Sequence, residues 1–201
     1  MGSGYLVSPL TLVINTLFDL YIFLVLLRFL LQSFRADFYN PVSQFVVRAT
    51  APPLRVLRRF IPSIAGQDTA SILLCLVLIY LKFMLLRGLD IPGVPIGNVT
   101  APIGAVSYAG LSILALADLA ASILTLFLIV IIIEVILSWV NPGHYNPVIG
   151  LVRTLSAPVL RPFRKLIPPM GGLDLTPLFA TLGIMVLKML LIPPIVYLGS
   201  F

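Results

Sequence analysis

A stretch of 24 residues that recurs once along the chain decides the fold. Residues 39–62 read YNPVSQFVVRATAPPLRVLRRFIP, and residues 145–168 read YNPVIGLVRTLSAPVLRPFRKLIP. The two copies align without a gap at an offset of 106 residues (145 − 39), with 12 identical pairs among the 24 positions. Beyond this stretch, Asp68 recurs as Asp174 at the same offset. A fixed period of this kind indicates a duplicated structural unit.

The composition excludes a water-soluble enzyme. Of 201 residues, 60% are hydrophobic and only 10% are charged, whereas soluble domains carry about 25% charged residues. The single cysteine and the single histidine argue against a disulfide framework, a cysteine metal cluster and a two-histidine metal site. The sequence also lacks a Gly-rich phosphate loop, an HExxH motif and a nucleophile elbow. We therefore expect an integral membrane protein that is not an enzyme and holds no cofactor.

Four regions are long and apolar enough to cross a bilayer, which takes about 20 residues in a helix. The expected spans cover residues 10–31, 69–87, 119–140 and 175–198. Residues 103–118 either extend the third span or form an interfacial segment before it. The offset assigns residues 1–104 to a first repeat and residues 105–201 to a second. The predicted fold is all-α, with four transmembrane helices in two parallel repeats, each consisting of a span, an amphipathic interfacial hairpin and a span.

Most basic residues lie in two stretches between the predicted spans. Arginine and lysine cluster within residues 32–68 and 141–174, whereas residues 1–9, 88–118 and 199–201 contain neither. Cytoplasmic loops of membrane proteins carry an excess of Lys and Arg, so we expect both connectors on the cytoplasmic side and both termini outside. This placement accounts for the net charge of +6 without a nucleic-acid partner.

Each connector is predicted to form a short helical hairpin in the membrane interface. In the first connector Asn40 is a good N-cap, Pro41 suits the first helical position, and Pro52 is expected to interrupt the helix. The repeat motif comprises Tyr39, Asn40, Pro41 and Pro52 in the first copy and Tyr145, Asn146, Pro147 and Pro158 in the second. The basic faces comprise Arg55, Arg58 and Arg59 in the first copy and Arg161, Arg164 and Lys165 in the second.

The basic faces have two interpretations. They either orient the protein and contact the headgroups of anionic lipids, or they form a docking site for an acidic partner or a pocket for one anionic lipid. Asp68 and Asp174 stand where the second span of each repeat begins, and we expect them to cap free backbone N–H groups there. Small residues around Ala117 and Ala121 would suit either packing within the chain or self-association.

Five ionisable side chains stand out within the predicted spans, where charge is costly and indicates function or pairing. Lys82 and Lys188 occupy equivalent positions of the two repeats. Asp19 is expected to neutralise one of them, unless each lysine extends to the membrane surface along its apolar stem. Arg28 and Glu134 are also equivalent and carry opposite charges, so we predict that they pair. Alternatively, Arg28 turns to the headgroups and Glu134 is protonated or meets another partner.

The repeated Tyr-Asn-Pro, Ala-Pro, Arg-x-x-Arg-[Arg/Lys]-x-Ile-Pro and Gly-x-Asp elements resemble the YggT family of bacterial membrane proteins, also called YlmG-like, which has relatives in plastids. The resemblance covers residues 5–90 and 110–198, nearly the whole chain. It implies a bacterial inner-membrane location and brings no catalytic residue with it. Members of that family have been linked to osmotic-stress tolerance with potassium uptake, to cell division and nucleoid organisation, and to assembly of a membrane cytochrome complex.

The resemblance and the charge pattern together imply a non-enzymatic inner-membrane accessory or scaffold protein. It would support envelope homeostasis, including osmotic-stress tolerance, through an unidentified membrane or cytoplasmic protein partner. The alternative is a small ion-transport component that serves potassium uptake. A channel or carrier needs polar groups that replace the hydration shell of the ion along a continuous path. The intramembrane charges of this sequence form isolated layers, which favours the scaffold.

Overall fold

Six helices and one β-hairpin follow one another in the described part of the chain. The computed structural model describes residues 3–63, 66–140, 147–166 and 174–201. The elements are α1 (Ser3–Ser33), α2 (Pro41–Leu57), α3 (Thr69–Gly88), β1 (Gly93–Ile96), β2 (Val99–Pro102), α4 (Tyr108–Val140), α5 (Pro147–Leu166) and α6 (Thr176–Gly199).

Four of these helices are long and apolar enough to span a membrane, as predicted. The candidate spans are Val7–Ser33, Thr69–Gly88, Tyr108–Leu137 and Thr176–Gly199. The helix of the third span, α4, begins at Tyr108, so residues 108–118 extend this span and do not form a separate segment. Large leucine-rich surfaces of α1 and α6 stay exposed in the isolated chain. Such surfaces suit lipid, because a helix that is apolar on all sides needs an apolar environment all round.

The two repeats pack in the same way. In the first repeat α1 contacts α2 and α3, and in the second α4 contacts α5 and α6. Contacts of α4 with α3 and α1 join the halves. The side chain of Asn40 donates to the carbonyl of Pro147 over 2.7 Å, so both connectors lie at one end of the bundle, the connector end. At the other end, the hairpin end, Arg87 donates to the carbonyl of Val106 over 2.9 Å.

The connectors correct one prediction, because each is a continuous helix and not a hairpin broken at a proline. Helix α2 continues through Pro52 and Pro53, and α5 likewise contains two prolines. A proline leaves the carbonyl four residues earlier without its helical partner. For Pro53 this carbonyl belongs to Ala49, and it accepts from the Tyr21 hydroxyl of α1 over 3.4 Å. Packing on the bundle therefore offsets the local cost of the prolines.

One stripe of each connector helix is buried against the bundle. In α2 the stripe comprises Ser43, Val46, Thr50 and Leu54. In α5 it comprises Leu151, Val152, Leu155, Ser156 and Leu160. These residues follow the three- and four-residue spacing that one face of a helix requires. Arg55 and Arg161 lie off this stripe and are exposed.

A β-hairpin between α3 and α4 was missed by the sequence analysis. Strands β1 and β2 pair antiparallel, with Ile96 opposite Val99 and the two-residue turn Gly97-Asn98 between them. Gly97 has a φ of 63°, a conformation that glycine adopts without the penalty of a Cβ. A Cβ at this position would also lie 3.3 Å from the side chain of Ile192 in α6. A Gly-Asn pair between two β-rich runs is a recognised hairpin signal.

Candidate functional site

The middle of the bundle contains an ion cluster that joins three spans. The ammonium of Lys82 on α3 lies 2.8 Å from a carboxylate oxygen of Asp19 on α1 and 2.8 Å from one of Asp118 on α4. Side-chain exposure is 6% for Lys82 and 11% for Asp118, but 60% for Asp19. The predicted neutralisation of a lysine by Asp19 therefore takes place within the fold, and Lys82 does not need to reach the membrane surface.

Asp118 is the member of this cluster that the sequence analysis missed. It was assigned only to residues 103–118, the segment predicted either to extend the third span or to precede it. An isolated carboxylate within an apolar run was the available signal, because ionisable residues inside spans almost always face protein or water. The cluster carries two carboxylates and one ammonium, so it holds one negative charge in excess, and α4 of the second repeat supplies one of its carboxylates.

The second repeat keeps the geometry of this layer and changes its chemistry. Lys188 on α6 donates to the hydroxyl of Thr125 on α4 over 2.9 Å. Thr125 is the repeat equivalent of Asp19 (19 + 106), so this contact corresponds to the Lys82–Asp19 pair. The hydroxyl is neutral, however, and it donates its own proton to the carbonyl of Ala121 over 2.7 Å. Lys188 therefore has a hydrogen bond but no counter-ion among the described residues.

The predicted pair between Arg28 and Glu134 is wrong. Arg28 is buried and donates from one guanidinium nitrogen to the carbonyl of Val47 and to the hydroxyl of Thr50, each over 2.9 Å. Both acceptors lie on α2, which packs directly on α1. Arginine has five N–H donors, so neutral oxygens of the connector can satisfy it without a carboxylate. Glu134 lies instead 3.4 Å from a guanidinium nitrogen of Arg164.

One ion pair links each connector to the span that follows it, and the pairs of the two repeats are equivalent. Arg58 binds both carboxylate oxygens of Asp68, and Arg164, its repeat equivalent, lies 3.6 Å from the carboxylate of Asp174. The predicted capping role is confirmed for Asp174, which accepts from the backbone N–H of Thr176 over 2.9 Å. It is wrong for Asp68, which makes no cap bond through its side chain because Arg58 and the Ser71 hydroxyl occupy its oxygens.

These contacts set the charge state of both aspartates. Burial by itself would raise the pKa of Asp68, but the hydrogen bonds from Arg58 and Ser71 and the positive charge of Arg58 outweigh burial, so its pKa lies below the ordinary value. The pKa of Asp174 is also lowered, because bonds from Thr176 and the charge of Arg164 exceed the effect of burial. Both carboxylates are therefore ionised at neutral pH.

The remaining basic side chains of the predicted faces are exposed. Arg58 and Arg164 bind the aspartates, while the four other members form no ion pair in the part of the chain that the structure describes. These four, here called the basic platform, are Arg55 and Arg59 on or just after α2 and Arg161 and Lys165 on α5. A groove of about 340 Å³ adjoins Arg161 and is also lined by Arg153 and Phe34. Arg153 was not predicted as a site residue.

The repeat motif positions the connectors. Tyr39 is 89% exposed, whereas Asn40 is buried and caps α2 by accepting from the backbone N–H of Val42 over 2.9 Å. Its amide also bonds to Pro147 at the start of α5, as described above, so one side chain fixes the first turn of one connector and its contact with the other. Tyr145 and Asn146, the second copy of the motif, lie outside the described residues.

Comparison with known proteins agrees with this architecture. A family model described as CCB3/YggT matches the chain twice, over residues 7–89 and 113–195. These two matches coincide with the two repeats found in the sequence and with the two packing units of the structure. No solved structure matches the chain significantly.

Several bacterial proteins are similar to this chain over most of their length. An uncharacterized protein of Pseudomonas aeruginosa is 47% identical over 180 residues, which is 90% of this chain and 86% of the relative. An uncharacterized protein of Vibrio alginolyticus is 41% identical, covering 88% and 90% of the two chains. The uncharacterized protein YggT of Escherichia coli K12 is 36% identical, covering 90% and 88%. The chain belongs to the CCB3/YggT family and carries two copies of its repeat.

Proposed function

We propose that this protein is a non-enzymatic scaffold of the bacterial inner membrane that supports envelope homeostasis, including tolerance of osmotic stress. One observation supports the scaffold role above all others. The ionisable side chains within the spans bond to neighbours inside the fold, whereas the basic platform at the connector end is exposed. Internal charges thus hold helices together, and the platform is available to a partner. The link to osmotic stress comes from the family resemblance and not from geometry.

The platform suits an acidic surface on the cytoplasmic side of the membrane. Under the positive-inside rule the connector end faces the cytoplasm and both termini lie outside. Each basic residue near an anionic membrane contributes about 1 kcal/mol of attraction, so anionic lipid is one partner. The other possible partner is an acidic protein segment that binds the same residues. Binding to lipid depends on the lipid composition of the membrane more strongly than binding to a protein segment does. The charge pattern requires no nucleic acid.

Ion transport is the competing function, and the contacts in the membrane argue against it. The Lys82 cluster and the Lys188–Thr125 contact are separate local groups. Conduction would need polar groups that continue from one side of the membrane to the other. Potassium flux into proteoliposomes that contain the purified protein tests this directly. Uptake above that of empty vesicles, abolished by Lys82→Met, would favour the transport function and contradict the scaffold.

The scaffold function is tested by crosslinking in native membranes followed by purification of the protein. In one variant the four platform residues become glutamine, and in a matched control they become lysine or arginine so that charge is retained. We expect a reproducible protein partner with the native and charge-retaining forms and its loss with the glutamine form. Growth of a strain that lacks the protein should fail in high-osmolarity medium and be rescued by the same two forms. Equal rescue by the glutamine form would refute the role of the platform.

A further inference from the structure

The most exposed member of the intramembrane ion cluster is Asp19. Its position near the middle of the candidate span Val7–Ser33 puts it deep in the hydrocarbon region. Nevertheless 60% of its side chain is uncovered in the single chain. The neighbouring Thr16 is exposed on the same side of α1, three residues earlier. Exposed carboxylates and hydroxyls in a lipid-facing helix are costly, and polar groups of this kind usually contact another helix.

The charges of the layer balance only when the ion cluster and Lys188 are counted together. The cluster joins Asp19 and Lys82 of the first repeat to Asp118 of the second, with one negative charge in excess. Lys188, the other charge of the layer, has the neutral hydroxyl of Thr125 as its only described side-chain partner. Asp19 bonds to Lys82 and Lys188 bonds to α4, so the two opposite charges are not partners within one chain.

The repeat also fixes the relative depth of these two charges. Lys188 contacts Thr125 just as Lys82 contacts Asp19, and both pairs are separated by 63 residues. Because the repeats are parallel, equivalent contacts stand at the same depth in the membrane. Asp19 of one molecule and Lys188 of another would therefore meet without either helix being shifted along the membrane normal.

We propose that the Asp19 side of α1 is a docking surface for a second copy of this chain, whose Lys188 on α6 pairs with Asp19. The contact joins different surfaces of the two molecules, so it generates a ring, or a two-fold dimer when both surfaces of each molecule meet. In either assembly the excess negative charge of one molecule's ion cluster is neutralised by the Lys188 ammonium of its neighbour. The inference does not depend on the proposed scaffold function.

The contact is tested by crosslinking between two differently tagged populations of the full-length chain. Both carry Cys75→Ala, one carries Asp19→Cys and the other Lys188→Cys, and the reagent is a short membrane-permeable bifunctional thiosulfonate. We expect a product that carries both tags. The matched control replaces Asp19→Cys by Leu17→Cys, which is 61% exposed but lies about 200° away around the helix. Equal crosslinking of the control would show random collision and overturn the proposal.

A second variant avoids any disturbance of the Lys82 cluster. Lys188→Met removes the charge and leaves Asp19, Lys82 and Asp118 in place, while Lys188→Arg retains the charge. Single-molecule photobleaching in lipid vesicles should show at least a tenfold weaker association for Lys188→Met and little change for Lys188→Arg. A native protein that is monomeric at all densities, an unchanged distribution for Lys188→Met, or crosslinking of Asp19→Cys only to a different protein would each overturn the proposal.

Discussion

Replacing Thr50 by valine should reveal how strongly the buried Arg28 holds α2 on the bundle. The Thr50 hydroxyl is fully buried, accepts from Arg28 over 2.9 Å and donates to the carbonyl of Val46 over 2.6 Å. Valine has nearly the same shape and cannot accept. A hydrogen bond to a charged group contributes about 1.5–3 kcal/mol to stability. We therefore expect the unfolding equilibrium constant to rise by about 10- to 150-fold.

The second repeat supplies an internal control for this substitution. Ser156 is the repeat equivalent of Thr50 and is equally buried, but its hydroxyl bonds only to the carbonyl of Arg153 in its own helix, over 3.2 Å. The residue equivalent to Arg28 is Glu134, which does not reach Ser156. Ser156→Ala should cost less than about 0.5 kcal/mol, because a hydroxyl bonded to its own helix adds little stability.

A double-mutant cycle isolates the contact between the two helices. Arg28→Met, Thr50→Val and the double variant are compared by reversible unfolding in mixed micelles or by steric trapping in bicelles. The sum of the stability losses of the two single variants should exceed the loss of the double variant by about 1.5 kcal/mol or more. The reason is that each single variant already breaks the same bond. Strictly additive losses would refute the assignment of Thr50 as the partner of Arg28.

Three further outcomes are expected. The pKa of Asp68 is lower in the folded protein than in the unfolded chain. Its stabilising effect is therefore present above the unfolded pKa of about 3.9 and is lost as the pH falls through the folded value. Asp68→Asn should reduce the loss of stability that acid titrations show below about pH 4. Gly97→Ala should destabilise the hairpin end by about 1–2 kcal/mol, since its φ is 63°. A Cβ at Gly88 would meet no neighbour within 4 Å, so Gly88→Ala should not destabilise the protein. Unfolding measurements compare the two variants. Reporter fusions after Gln32 and Pro142 should give a cytoplasmic signal and a fusion after Gly97 an outside signal, whereas opposite signals at the first two sites would contradict four spans.

The spans and the duplication could be predicted because both depend on local sequence. A run of about 20 apolar residues can satisfy its backbone in a bilayer only as a helix, and the offset of 106 residues is visible without any knowledge of packing. The neutralisation of one of the two lysines by Asp19 was predicted for a related reason, and the structure identifies that lysine as Lys82. Two opposite charges at similar depth in spans of the same repeat have few other partners.

The Arg28–Glu134 prediction failed because equivalence in a repeat fixes depth but not direction around the helix. Arg28 turns to α2, whose oxygens become available only once the connector has packed on the bundle. The predicted break of each connector helix at its proline was wrong for the same reason. The local cost of the prolines is offset by tertiary contacts, such as the hydrogen bond from the Tyr21 hydroxyl to the carbonyl of Ala49. The β-hairpin at Gly97 carries a recognisable turn signal, but a hydropathy pattern does not detect turn residues.

The positions at which the two repeats differ in charge separate structure from function in this fold. The Arg58–Asp68 pair and its equivalent are retained in both halves, as are Lys82 and Lys188, so these residues meet a requirement that each half has on its own. Asp19 and its equivalent Thr125 share one geometry but not one charge. A symmetric pair of ion clusters would neutralise each half separately and leave nothing for a neighbour. The substitution of a hydroxyl for a carboxylate leaves Lys188 without a counter-ion in the second half. Asp118, on α4 of the same half, bonds instead to Lys82 of the first half, so the cluster and Lys188 form two sides of complementary charge.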